Sequence, residues 1–130
     1  MSGSKEKILI KNMTKGKLPR LPFDSIKEKI LGKNYELSIV FIGDKLSRKL
    51  NRSYRNKDVP TDILSFPLSN NDGEIFINLK KASENAPKFD RKFENFIAFL
   101  FIHGLVHLKG FEHSSRMEAE ETKFRKKFGV

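Results

Sequence analysis

The sequence predicts an α+β domain in which a small mixed β-sheet packs against helices. Short β-branched and aromatic runs bounded by turn residues mark strands, while three- and four-residue apolar spacing marks helices. The two kinds of segment do not alternate regularly, as a doubly wound α/β chain would require. The chain has 130 residues, 38% of them apolar and twelve of them Phe. That is enough for one core in which roughly two thirds of the unfolded surface is buried, so one domain over residues 1–130 is expected.

Ser2, Gly3 and Ser4 read as a flexible lead covering about the first five residues. Ile8, Leu9 and Ile10 suit a short strand. From Phe23 to Leu31, Phe23, Ile26, Ile30 and Leu31 share one helical face, with Pro22 at its start and Gly32 closing it. Tyr35 to Ile42 is a largely buried strand, broken by Gly43-Asp44. Asp44 is placed to cap a helix whose Leu46, Leu50 and Tyr54 form a stripe. Asp62–Pro67 and Glu74–Asn78 then form a hairpin across Asn70-Asn71-Asp72-Gly73. A polar connection containing Pro87 follows. Phe93, Phe96, Ile97, Leu100, Phe101, Leu105 and Leu108 predict the longest helix, with an apolar surface wide enough to make it central, and Gly110 ends it by a left-handed turn. A final helix over Ser115–Lys127 presents Met117, Phe124 and Phe128 inward. Its acids come early and its bases late, as the helix dipole favours.

Composition excludes several classes of function. The chain has no cysteine, so disulfide scaffolds, thiolate zinc fingers, iron–sulfur clusters and cysteine nucleophiles are ruled out, and any metal must be held by His or carboxylate. The longest apolar run, Phe96 to Ile102, is far shorter than the ~20 residues of a membrane span. Met1 to Lys17 contains no apolar stretch of the secretory kind, and a cytoplasmic location is expected. Twenty-six Lys and Arg against sixteen Asp and Glu leave a formal charge of +10, which makes a polyanion the first partner to consider.

All three histidines of the chain lie in His103-Gly104-Leu105-Val106-His107-Leu108-Lys109-Gly110-Phe111-Glu112-His113. An isolated histidine is ordinarily a plain surface or core residue. Three placed at random would give this spacing on the order of 3 times in 10,000. His103 and His107 are one helical turn apart, with Cβ atoms about 6 Å from each other, so both imidazoles can meet one ion. Gly110 lets the chain turn back, and His113 reaches the same ion from outside the helix. Three neutral nitrogens leave a fourth position for water, the arrangement of a catalytic zinc site. The spacing is that of the metzincin metalloproteases, yet those carry Glu directly after the first His as general base, and here Gly104 stands there. A peptidase is therefore only a remote alternative.

The run HGLVHLKGFEH resembles the signature of the YbeY endoribonuclease family, the bacterial ribosomal RNA maturation factors, whose usual form is HGxLHLxGYDH. A second block, Leu50 to Pro67, is similar to the family's LNxxYRxKDxPTDVLSFP stretch, and Gly73-Glu74-Ile75 to its GDI strand start. Phe111 and Glu112 stand where Tyr and Asp are usual, and Glu74 replaces Asp. The resemblance implies a zinc-dependent, single-strand-specific endoribonuclease acting in 16S ribosomal RNA 3′-end processing and ribosome quality control. One zinc per chain would be held by His103, His107 and His113, and the small ribosomal subunit would be a partner. It also implies that Arg55, otherwise an ordinary loop charge, is the functional cleft arginine. A guanidinium grips phosphate through two hydrogen bonds and stabilises charge in the displacement.

Lys57 and Asp58 fit turn or salt-bridge roles, Leu64 and Phe66 fit the core, and Asp62 could brace a ligand histidine. The Lys123, Arg125, Lys126 and Lys127 cluster is either a solvated face or a contributor to RNA affinity. A second function from another class stays open: an RNA or ribosome assembly module whose metal site is structural.

Overall fold

The order of elements in the computed structural model, which describes residues 7–130, is β1 (Ile8–Asn12), α1 (Phe23–Leu31), β2 (Glu36–Ile42), α2 (Asp44–Arg55), β3 (Ile63–Ser69), β4 (Asp72–Asn78), α3 (Leu79–Asn85), α4 (Phe93–Leu108) and α5 (Ser115–Phe128). The expected flexible lead over residues 1–5 lies outside the described residues. The strands form one sheet in the order β1-β2-β4-β3. β2 runs parallel to both β1 and β4, and only the β3–β4 hairpin is antiparallel. The sheet is mixed, as the sequence predicts.

β2 explains the layering. Five of its seven residues are buried and one more, Ser38, is partly so, and a strand apolar on both faces has to be covered on both. On one face Leu37, Ile39, Phe41, Ile75 and Ile77 join the main core with residues of α1, α4 and α5. Phe23 of α1 locks that core by meeting Phe41 and Phe101 edge-on, with ring centres 5.8 and 5.1 Å apart. The opposite face, with Val40, Ile42 and Leu64, lies under α2, where Tyr54, Phe66 and Phe76 form a short aromatic chain. At the sheet edge β1 is thinly covered, with Leu9 and Ile10 exposed.

Three local expectations change. The polar connection before the long helix contains α3 and a 3₁₀ turn over Ala86–Phe89. Asn78 caps α3 by accepting a hydrogen bond from the Lys81 amide, and only Ala82 and Ala86 are buried. Such small residues leave almost no hydrophobic period to detect. On α2 the inward positions are Ser47 and Asn51, whereas Leu46 and Leu50 are half-buried and Tyr54 is 69% exposed. Beneath that helix lies loop backbone, whose N–H and C=O groups need polar partners. Asp44 sits inside the first turn without capping it; Gly43 holds the cap position.

α4 is buried on most of its surface, as its wide apolar pattern implies. Gly104 lets it press against β3. A Cβ there would lie 2.8 Å from Ser65 Oγ, 3.0 Å from Ile63 Cδ1 and 3.1 Å from Ile75 Cδ1. Beyond the helix, Gly110 has φ +111°, and its amide donates to the His107 carbonyl. This is the left-handed turn that reverses the chain toward His113.

Candidate active site

The last two turns of α4 supply His103 and His107, and the loop after Gly110 brings back His113. All three rings line a single cavity of about 210 Å³, with Arg55 from the end of α2 and Thr61, Ile63 and Ser65 from β3 and the segment before it. Every site residue read from the sequence is therefore at one place. The His113 ring centre lies 5.5 Å from that of His103 and 5.9 Å from that of His107.

Whether these residues suit an ion can be judged from that spacing. Two imidazoles on one tetrahedral ion, with nitrogens at about 2.0–2.1 Å, have ring centres roughly 5.3 Å apart. The observed separations are slightly wider, and among the described residues no group of three or more His, Asp or Glu side chains is already gathered as a metal cluster. His107 Nδ1 is buried without a hydrogen-bond partner, the kind of group that an ion or ordered water satisfies. Burial, followed by the charges of His113, His103 and Arg55, holds the His107 imidazole below its ordinary pKa, with only Glu112 opposing. The neutral ring is the form that ligates a metal. On donor type, and on the distance of the His113 ring from the other two, the three histidines fit a single ion.

The position after His103 is closely packed. Gly104 is buried, and any side chain there would run into Ser65, Ile63 and Ile75. The general base of a metzincin peptidase would have to displace these side chains to stand at this position.

Glu121 was missed by sequence reasoning about the site. Nearly buried on α5, it accepts from His103 Nδ1, with both carboxylate oxygens at 3.1 Å, and it also meets Arg125 Nη1 at 3.5 Å. A carboxylate on one ring nitrogen fixes the tautomer and leaves the other nitrogen as the free lone pair. A signal was present: Met117, Glu121 and Phe124 lie at four- and three-residue steps, so an acid interrupts the inward stripe of α5. Asp62 does not brace a histidine; it is held by Asn85 Nδ2 at 3.1 Å.

Arg55 reaches the cavity because α2 is pinned at its inner face. Ser47 Oγ donates to the Thr61 carbonyl at 2.7 Å and accepts from the Thr61 amide at 2.9 Å, and Asn51 Nδ2 donates to the Val59 carbonyl at 2.9 Å. Asn56, in the left-handed region at φ 57°, ends the helix directly after Arg55. Asp58 forms a two-pronged ion pair with Arg48 at 2.9 and 3.0 Å and lies 3.7 Å from Arg52, the salt-bridge role expected of it.

Comparison with known proteins places the chain. A family model described as Endoribonuclease YbeY matches residues 4–128. A protein named Endoribonuclease YbeY from Alkaliphilus metalliredigens is 38% identical over 71% of this chain and 66% of its own length. One of the same name from Carboxydothermus hydrogenoformans is 42% identical over 67% of this chain and 62% of its own. The chain thus spans just under two thirds of the length of these two relatives. The solution structure of TM1509 from Thermotoga maritima superimposes with a TM-score of 0.69, at 27% identity, covering 93% of this chain and 88% of that one. By family model, by relatives and by the two motifs that converge on one cavity, the chain belongs to the endoribonuclease YbeY family.

Proposed function

We propose that the chain is a metal-dependent endoribonuclease that cleaves single-stranded RNA at the cavity between α2, β3 and α4. The observation that carries this reading is the meeting of three histidines and Arg55 around one cavity. Zinc is the proposed ion, one per chain, held by His103, His107 and His113. Bound there it would acidify a water toward neutral pH and act as a Lewis acid for a phosphoryl oxygen.

The chain's own residues do the remaining work. Arg55 offers a guanidinium fork to the phosphodiester and stabilises the charge that grows on its oxygens during displacement. Glu121 holds the Nδ1–H of His103 and so orients that ring toward the cavity. His107, kept neutral by burial and by neighbouring positive charge, offers a lone pair at neutral pH. Thr61 and Ser65 add polar lining to the same wall.

Family membership supports ribosomal RNA as the substrate, in 16S 3′-end maturation and in ribosome quality control, with the small subunit as partner and the cytoplasm as location. No helix among the described residues is long and apolar enough to cross a membrane. The assembly-module alternative has no specific observation in its favour. The test uses carefully nuclease-free protein. Single-stranded RNA should be cleaved, cleavage should stop with a chelator, and elemental analysis should find about one zinc per chain. Undiminished cleavage by a folded His113→Ala variant would overturn the proposal.

A further inference from the structure

The nuclease reading uses only the last residue of α2, yet the helix carries four more cations. Lys45, Arg48, Lys49 and Arg52 are all exposed and line one groove of about 520 Å³ on its outer side. At steps of three and four residues they share one face with Arg55. From Lys45 to Arg55 the helix advances about 15 Å, with a cation on each turn of about 5.4 Å. That repeat is close to the separation of neighbouring phosphates in an extended single strand. A stripe of cations, with Asp58 on Arg48 and Arg52, thus leads along α2 toward Arg55 at the histidine cavity.

We infer that this stripe is a backbone track for the RNA: Lys45, Arg48, Lys49 and Arg52 hold successive phosphates on one side of the bond that lies at Arg55. The inference rests on the nuclease reading for its direction. Asp58 shows how the track grips. Its carboxylate takes a two-pronged bond from Arg48 and lies 3.7 Å from Arg52, although it is itself 53% exposed. Two guanidiniums converge there on one oxyanion, the geometry they would present to a phosphate. Asp58 therefore competes with the strand, and removing it strengthens RNA binding.

The basic cluster on α5 is a poorer candidate. Arg125 is turned inward onto Glu121, Thr122 and the Phe99 ring, and Lys123 is paired with Glu120.

The test is fluorescence anisotropy with a single-stranded RNA of about 12 nucleotides and with a trinucleotide, across a salt series, each variant first checked by thermal melting. Lys45→Ala/Arg48→Ala/Lys49→Ala should bind the long RNA roughly tenfold or more weakly. Its log K against log salt slope should be shallower by about 2, since each lost single-strand phosphate contact is worth about 0.7. The trinucleotide, too short to reach from Arg55 to Lys45, should show little of that defect. Asp58→Asn should shift affinity for the long RNA the opposite way. An unchanged salt slope in the triple variant overturns the track, as does an equal loss for both RNA lengths or weaker binding by Asp58→Asn. Because every readout is binding, absence of cleavage in the parent protein would sink the nuclease reading without deciding the track.

Discussion

The two helices that meet at the cavity are built on opposite principles. α4 has ten of its sixteen residues buried, all of them apolar or Gly, so its histidines stand on the most deeply packed of the described helices. α2 has two of twelve buried, both polar, and is held by hydrogen bonds from Ser47 and Asn51 to the loop before β3. The metal-type residues thus inherit their positions from the core, while the phosphate-type residues lie on an attachment that the core hardly notices. Substitution on α4 should cost the fold, whereas substitution on the outer side of α2 should cost function alone.

The largest expected effect is at Gly104. Added atoms meet Ser65, Ile63 and Ile75 at or below 3.1 Å. Gly104→Ala should therefore lose about 1–3 kcal/mol from overpacking. Gly104→Glu adds the burial of a carboxylate and should not yield folded protein, measured by circular dichroism and thermal melting. A folded Gly104→Glu chain with peptidase activity would break the contrast and reopen the metzincin reading.

Arg55→Ala probes the other side. The side chain is exposed and makes no hydrogen bond among the described residues, so stability should stay within about 0.5 kcal/mol of the parent. RNA cleavage should fall by roughly 10²-fold or more, as when a charge-stabilising donor is removed from a transition state. A smaller effect is expected for Glu121→Gln, which keeps the shape and removes the charge behind His103. Zinc affinity measured by chelator competition should weaken by about 10-fold or somewhat more, and the melting curve of the chelated protein should change little. Unaltered zinc affinity would show that His103 needs no support from α5.

The same contrast explains what was legible beforehand. α4 could be read because apolar periodicity and burial agree along its whole length, and its two histidines follow from one helical turn. His113 was legible because Gly110 reverses the chain. α2 is legible as a helix and its Leu46, Leu50 and Tyr54 share a stripe, but its buried positions are Ser47 and Asn51, which satisfy loop backbone. Hydrophobic spacing does not report a helix anchored by hydrogen bonds. Glu121 escaped for a related reason, since its acid was credited to the helix dipole, although it lies between Met117 and Phe124 on the buried side. Arg55 needed the family motif, because nothing local separates it from the other exposed cations of its helix.

The smallest expected effect concerns the outer end of α2, where polar anchoring has a pH signature. Asp44 accepts from Asn78 Nδ2 at 2.8 Å and lies 3.1 Å from Lys80 Nζ. The Asn78 bond first, and then Lys80, hold its carboxyl below the usual aspartate value of 3.8. A carboxyl with a depressed folded pKa releases its proton more readily in the folded chain than in the unfolded one. Its contribution to stability is therefore present above the ordinary value and is lost as pH falls through the folded one. Asp44→Asn should be less stable than the parent near neutral pH by no more than about 1 kcal/mol, because the Lys80 partner is exposed. The gap should narrow as pH drops below 4. High salt should trim only the Lys80 share, since screening weakens an exposed ion pair far more than a hydrogen bond to a buried amide. A gap that stays flat from neutral to acid pH would mean that α2 is not anchored through this carboxylate, and that β4 meets it by packing instead.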